Sequence, residues 1–382
     1  MILVLNAGSS SLKAALFAPD LTAQFTAKLA EIAGDSRLTI DGTTIPARAP
    51  DHQTALALIL QALATAGHPV TTLTAVAHRV VHGGADLVAP VVLTPAATAL
   101  IQAAIPLAPL HNPANLACIH AMAALAPGLP QTASFDTAFH ATNPDVATTY
   151  ALPAAERAKG IRRFGFHGLS YASLTHSLSH SLTHGLTPSL RHSLTGSLTG
   201  SLTGSPPPLP RRLLALHLGN GASLCAILDG RSVATSMGYS PLDGLVMGTR
   251  PGSIDPMAVL RLAQDHGIDG AGQMLNHASG LRALAGTNDM RALLSRTDAE
   301  ARFAVDHFCY WAIRHAGSAI AAMGGLDAIA FTGGIGENAG AVRDRISAGL
   351  RWAGDVPVHV VRADEERQIA RDALSLLQRK VP

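Results

Sequence analysis

A chain of 382 residues, 48% hydrophobic and 14% charged, has enough apolar material for two or three domains with sizeable cores. Its formal charge of +2 and scattered arginines give no basic field of the kind that binds nucleic acid. The apolar start MILVL is too short for a signal peptide or a membrane span. Three distant cysteines, Cys118, Cys225 and Cys309, read as buried thiols in a reducing compartment, so a cytoplasmic protein with no membrane or nucleic-acid partner is expected.

In chain order, MILVLN and SLKAALFA are short apolar runs either side of a Gly/Ser turn, and RLTIDGTTIPAR adds a hairpin centred on Asp41-Gly42. A helix is predicted over DHQTALALILQALATAG, capped by Asp51 and stopped by Gly67, and a second over NPANLACIHAMAALAPG. LTAVAHRVV and QTASFD supply strands between and after them. From Gly168, GLSYASLTHSLSHSLTH continues as a helix, but its leucines, from Leu174 and Leu178 to Leu202, recur every fourth residue. A helix turns every 3.6, so this stripe drifts by about 40° per step and only the first few leucines share one face.

From about 185 to 210 Gly, Pro, Ser and Thr dominate, which predicts a low-complexity insert that the remaining chain tolerates. His176, His180 and His184 have a helical spacing that can bind a metal. Near-identical repeat units and the lack of a neighbouring Cys, Asp or Glu favour incidental histidines.

Beyond the insert, RLLALHLG and ASLCAILDG flank Gly219-Asn220-Gly221, and RSVATSM extends that sheet. Helices are predicted at 256–266, 270–277, 288–295 and 299–323. They are followed by a strand at LDAIAFTGG, a helix over about 338–350, a strand at VPVHVV and a closing helix over about 364–378. Each half opens with a glycine-punctuated hairpin and ends in alternating helix and strand, which predicts a duplicated α/β architecture with a cleft between the halves.

The loop after ILVLN can surround phosphate oxygens with serine hydroxyls and backbone N–H groups, and the Asn6 carboxamide at the strand end can orient a metal-bound water. Gly219-Asn220-Gly221 occupies the matching turn of the second half, and FTGGIGEN follows a strand and opens a helix. Together these turns favour a nucleotide site over simple packing glycines. Arg79, His111, Asp136, His167 and Arg250 lie at strand ends or in glycine/proline loops, where a polar side chain has more to do than be solvated.

The segments LVLNAGSSSLK, HRVVHGG, FDTAFH, FGFHGLS, HLGNGASL, PLDGLVMGTR, FTGGIGEN and ADEERQIA resemble, in order, the signature segments of the acetate kinase (acetokinase) family. The resemblance implies an α/β fold of the sugar kinase, heat-shock ATPase and actin superfamily. It would have two duplicated ribonuclease-H-like (actin-like ATPase) domains and an interdomain active-site cleft. The first would span 1–146, completed by a helix at about 365–382, and the nucleotide-binding second 147–364. The implied enzyme is a phosphotransferase that makes acetyl phosphate and ADP from ATP and acetate, reversibly, with magnesium, or manganese in its place. A homodimer is implied as well.

Carried over motif by motif, the resemblance assigns Asn6 and Glu365 to the metal, and Lys13, Arg79 and His111 to substrate. Asp136, His167, Arg250 and Arg79 become the catalytic set, and Val81, Leu110, Phe166 and Pro241 the apolar pocket for the acetate methyl. His217, Leu218, Gly219, Asn220 and Gly221, then Asp289, Met290 and Arg291, then Gly334, Ile335, Gly336, Glu337 and Asn338, become nucleotide contacts.

Physical chemistry sharpens one role. A carboxylate acceptor is already ionised at neutral pH and needs no general base, so Asp136 is expected to position groups and reach magnesium indirectly rather than accept a proton. One departure stands beside Arg250: the chain reads RPGSIDP where the resemblance leads to an RSGDIDP-like string. Propionate kinase, or another short-chain acyl kinase, is the close alternative, and a catalytically silent ATP-binding protein of the same fold is another. A sugar kinase would need a carboxylate base and a polar pocket, where this chain has Val, Leu, Phe and Pro.

Overall fold

The computed structural model describes residues 1–184 and 209–378, and the chain divides into one unit of Met1–Ala141 with the segment from Asp364 onward and a second of Thr142–Ala363. The first is built on β1 (Ile2–Ala7), β2 (Ser11–Phe17), β3 (Ala23–Ala30), β4 (Arg37–Ile40), β5 (Thr43–Pro46), β6 (Ala75–Val80), β7 (Val91–Val92) and β8 (Gln131–Phe135). These form one sheet in the order β5-β4-β3-β2-β1-β6-β8-β7. β1 to β5 are an antiparallel meander, whereas β1, β6 and β8 run parallel. Every residue of β1 is buried, as a strand covered on both faces must be.

On one face α1 (His52–Thr65) and α3 (Asn112–Leu125) set Leu56, Ile59, Leu63, Cys118 and Met122 against Leu3, Leu5, Leu16 and Phe25 of the sheet. Each such side chain contributes about 1.5–3 kcal/mol on burial. Asp51 caps α1 by accepting from the Thr54 N–H at 2.7 Å, and Thr94 and Pro95 start α2 (Pro95–Ala103) in the same manner. The other face is covered by the closing helix Glu365–Gln378, whose Ile369, Ala370 and Ala373 are buried where it meets β1, β6 and β8.

The second unit has β9 (Arg212–Leu218), β10 (Ala222–Leu228), β11 (Arg231–Thr235), β12 (Ala328–Thr332) and β13 (Val358–Val360), in the order β11-β10-β9-β12-β13. That is the order of β3-β2-β1-β6-β8: a hairpin continued by parallel strands. Beyond two single turns at Asp145–Thr148 and Ala154–Arg157, its α-helices among the described residues are α4 (Gly168–His184), α5 (Pro256–His277), α6 (Gly280–Ala285), α7 (Met290–Ser295), α8 (Ala299–Met323), α9 (Gly333–Asn338) and α10 (Gly340–Gly349). α8 is capped by Asp298, ends at Gly324 in the left-handed conformation and packs on β9, β10 and β11.

Several boundaries differ from the sequence expectation for local reasons. The helices expected at 256–266 and 270–277 are one run broken at Gly267 (φ 73°), and α7 begins at Met290 because Asp289 is its cap. The helix expected over about 338–350 is α10, and an unexpected short helix, α9, runs into it at Ala339. Leu174 and Leu178 are buried on α4, while the expected insert from 185 to 208 and the side chain of His184 lie outside the described residues. All three cysteines are buried, and none is in a disulfide. Among the described residues no helix is long and apolar enough to cross a membrane.

Candidate active site

In the first unit the parallel strands deliver polar residues at their carboxyl ends, the usual place for ligands in such sheets. Asn6 is near the end of β1, Arg79 near the end of β6, and Asp136 directly follows β8. Arg79 donates from Nε to Asp136 Oδ1 at 3.1 Å and from Nη2 to Oδ2 at 2.5 Å, a bidentate pair. Its Nη1 donates to Asn6 Oδ1 at 3.0 Å. The Asp136 side chain is only 3% exposed.

The closing helix adds carboxylates to this group. Asn6 Nδ2 donates to Glu366 Oε1 at 3.3 Å, and Lys13, which pairs with Asn6 across the β1–β2 hairpin, reaches the same oxygen at 4.0 Å. Burial by itself would lower the Arg79 pKa, but Asp136 and then Glu365 reverse that and raise it. Glu365, half-buried, is pushed up to about 7, first by burial and then by Asp136 and Glu366, against the pull of Arg79 and Lys13.

This donor set fits a hard cation. Asn6, Asp136 and Glu365 can each offer oxygen, and the Asp136 and Glu366 charge that adds to burial in raising Glu365 is what a bound cation would relieve. Among the described residues no three His, Cys, Asp or Glu side chains converge as a cage of their own.

Val81 is buried, its N–H bonded to Asn115 Oδ1 at 3.1 Å, while Asn115 Nδ2 donates to the Ala7 carbonyl at 2.8 Å; this locks the ends of β1 and β6 together. Leu110 is 42% exposed in the turn before α3, and His111 directly precedes that helix.

In the second unit the chemistry gathers around the turn between β9 and β10. His167 sits just ahead of α4 with φ 59°, a left-handed conformation that costs a non-glycine residue energy and is held by the Tyr171 N–H donating to its carbonyl at 3.0 Å. Its Nδ1 is 2.9 Å from Ser223 Oγ, and its ring stacks on His217 at 4.2 Å between centroids. His217 Nδ1 in turn lies 2.7 Å from Ser170 Oγ.

A Cβ on Gly221 would lie 3.2 Å from His167 Nε2 and 3.8 Å from Arg250 Nη1, so both side chains converge on this turn. Arg250 Nη1 also donates to the Pro241 carbonyl at 3.2 Å. Burial lowers the Arg250 pKa, and among the described residues no carboxylate pairs with it. Its backbone is clamped by Gly280 (φ 64°), where a Cβ would come within 2.7 Å of the Arg250 carbonyl.

The departure at RPGSIDP finds a structural role. Ser253 Oγ donates to Asp243 Oδ1 at 2.7 Å, and Asp243 Oδ2 accepts from Arg163 Nη1 at 3.0 Å, so the hydroxyl ties the Arg250 loop to a charged pair.

Beside this turn lies a cavity of about 570 Å³, a size that suits a nucleotide base and ribose. Of the expected contacts it is lined by Gly219, Asn220, Asp289, Met290, Arg291, Gly334, Ile335 and Asn338. Asn288, Leu294 and Ala339 line it too and were not expected. Asn288 Nδ2 donates to Asn220 Oδ1 at 2.9 Å, and its only sequence signal is a polar step before the Asp289 cap. Of the other expected contacts, Leu218 and Gly336 are buried, and Glu337 Oε1 accepts from the Ala363 N–H at 2.9 Å. Gly221 and His217 face His167, and the fully packed Phe166 precedes that histidine.

Comparison with known proteins follows this geometry. The model of the acetokinase family matches residues 1–188 and 208–373, leaving the core of the repeat tract outside the match. Acetate kinase of Methylocella silvestris is 39% identical, over 98% of each chain. Acetate kinase of Streptomyces griseus is also 39% identical, over 100% of this chain and 92% of its own. Among solved structures, Porphyromonas gingivalis acetate kinase is similar at a TM-score of 0.84 and 32% identity, covering 98% of this chain and 99% of its own. A propionate kinase from Francisella tularensis is similar at 0.85 and 32%, covering 97% and 98%.

Proposed function

The chain belongs to the acetokinase family, and from that premise we propose that it is an acetate kinase, transferring the γ-phosphoryl group of ATP to the acetate carboxylate and reversing the transfer from acetyl phosphate. The observation that carries this reading is the convergence of His167 Nε2 and Arg250 on the Gly221 turn, next to the cavity lined by Asn220 and Gly334. Two donors aimed at one spot beside a nucleotide-sized cavity are what phosphoryl transfer asks for, because the reaction is positioning plus charge neutralisation.

In this reading Arg250, which pairs with no carboxylate among the described residues, takes the equatorial oxygens of the moving phosphoryl group, and His167 donates a hydrogen bond to it. Arg79 and Lys13 hold the acetate carboxylate. The family resemblance assigns Val81, Leu110, Phe166 and Pro241 to its methyl. Both oxygens of Asp136 are engaged by Arg79, which supports a positioning role over proton transfer; the acceptor arrives ionised and gives up no proton. Magnesium, when bound, neutralises charge between the phosphates and the acceptor; Asn6 and Glu365 would hold it, with manganese able to replace it.

Propionate kinase is the second reading, favoured by the equally close Francisella tularensis structure. One methylene in an apolar pocket discriminates by only about 1–3 kcal/mol, so kcat/KM for acetate, propionate and butyrate separates the two. A cytoplasmic homodimer is part of the proposal; the exposed Phe303 and Tyr310 of α8 support it, and sedimentation tests it. The enzyme reading itself is tested by trapping acetyl phosphate with hydroxylamine. Hydroxamate is expected from ATP, magnesium and acetate together, and its absence overturns the proposal.

A further inference from the structure

The closing helix brings Glu365 and Glu366 to the group around Arg79. Glu365 meets like charge there from Asp136 and Glu366, against the pull of Arg79 and Lys13, so the start of the helix is not held by attraction alone. Apolar packing gives it little more. The buried residues of the helix are Gln368, Ile369, Ala370 and Ala373, and one isoleucine among alanines fixes a position along the axis weakly, because small side chains interlock little with the sheet.

A polar tie supplies what packing lacks. Ser134, 1% exposed in β8, donates to Asp372 Oδ2 at 2.9 Å, and Gln368 Nε2 donates to Asp372 Oδ1 at 2.8 Å. Arg371 Nη1 donates to Gln368 Oε1 at 2.6 Å, which leaves the amide nitrogen of Gln368 for the carboxylate. Both ends of the tie are in register with the site. Ser134 stands opposite Arg79 on β6 and two residues before Asp136, whose N–H continues the ladder by donating to the Val80 carbonyl at 3.1 Å. Strand side chains alternate, so Arg79, Ser134 and Asp136 share the face that the closing helix covers. On the helix, Asp372 follows Glu365 by two turns, about 10 Å along the axis and within about 20° of the same face.

A carboxylate is a costly group to use for this. Burial pushes the Asp372 pKa up, against the bonds from Ser134 and Gln368, and an apolar side chain would cover β8 at least as firmly. What the carboxylate adds is direction, since one oxygen accepts from the sheet and the other from its own helix.

We propose that Ser134 and Asp372 are positioning residues whose hydrogen bond sets where the closing helix lies along the sheet, and so holds Glu365 and Glu366 against Arg79, Asn6 and Lys13. The proposal rests on the metal and substrate reading given above and names what keeps the glutamates in place.

The first test needs no turnover. Manganese binding to the full chain in the presence of ADP, read by electron paramagnetic resonance, is expected to weaken about tenfold in Asp372→Asn, whose amide offers one acceptor oxygen to two donors. Half-saturating magnesium in steady-state kinetics should rise by a similar factor, with kcat at saturating magnesium within about twofold. A merely structural role would lower the thermal midpoint or the active fraction, and neither moves a half-saturating concentration. Ser134→Ala gives the same readouts should Asp372→Asn not fold. Ser134→Thr, which keeps the hydroxyl, is expected to bind manganese as the wild type does; a loss as large as in Ser134→Ala would trace the effect to packing and overturn the proposal. Unchanged manganese binding in folded Asp372→Asn or Ser134→Ala overturns it too. The two readings fail separately: wild-type manganese binding in Glu365→Gln removes the metal role of Glu365, whereas weakened binding there beside intact binding in Asp372→Asn removes only the tie.

Discussion

The two units run their strands in the same order, yet the arginine each places beside its key turn sits in opposite surroundings. Arg79 is held by Asp136 and faces Glu365 and Glu366, and its pKa is raised. Arg250 has a carbonyl and a methionine sulfur for neighbours, and burial lowers its pKa. One frame thus presents a cation whose charge is already matched, and the other a cation that awaits an anion. A matched pair costs little at rest and serves to align its neighbours; an unmatched cation in a half-buried site is worth most when a phosphoryl group arrives.

The largest expected effect tests the unmatched side. Arg250→Ala should lower kcat by about a thousandfold while KM for ATP changes severalfold at most, as measured by steady-state kinetics in the acetyl phosphate-forming direction. A variant with near-normal kcat would remove Arg250 from the reaction. Asp136→Asn, on the matched side, is expected to do less to chemistry and more to the cation: the half-saturating magnesium concentration should rise about tenfold. Lost activity with an unchanged magnesium titration would instead give Asp136 a proton-transfer role.

A smaller effect separates the units by acid stability. His78 and His82 of the first unit are buried, and burial holds both pKa values down at about 4, against the ordinary 6.5. The unfolded chain therefore binds more protons between those values. Their stabilising contribution is complete above pH 6.5 and is lost as pH falls from 6.5 toward 4, by about 3 kcal/mol for each residue at the lower end. Hydrogen exchange should show the first unit opening before the second on acidification. His78→Gln, which keeps a donor for Gln131, should flatten the slope of stability with pH.

Much of this was legible in the sequence where the signal is local. The Asp51 cap, the hairpin at Asp41-Gly42 and the two glycine turns follow from residue types over a few positions. β3 carries a weak sequence signal because its buried face is Phe25, Ala27 and Leu29, an alternation diluted by alanine and by exposed Thr26 and Lys28. The candidate residues at strand ends were visible one at a time, but their partnerships were not. Arg79 and Asp136 pair across 57 residues, and Asn6 and Glu366 across 360, distances set only by sheet order and by the return of the closing helix. Ser134 and Asp372 carried no mark at all, since a serine in a strand and an aspartate on a charged helix are ordinary residues until they meet across 238 residues.

The closing helix has a consequence for how the protein is made. β1 leaves the ribosome before Thr142–Ala363, but Ile369, Ala370 and Ala373, which cover it, leave only after the whole of that segment. At typical synthesis rates that wait is on the order of tens of seconds. During it the nascent first sheet carries an uncovered apolar face, while the later-made unit has every strand it needs. The part of the chain born first is thus the part matured last, and it is there that a chaperone would find the most to hold.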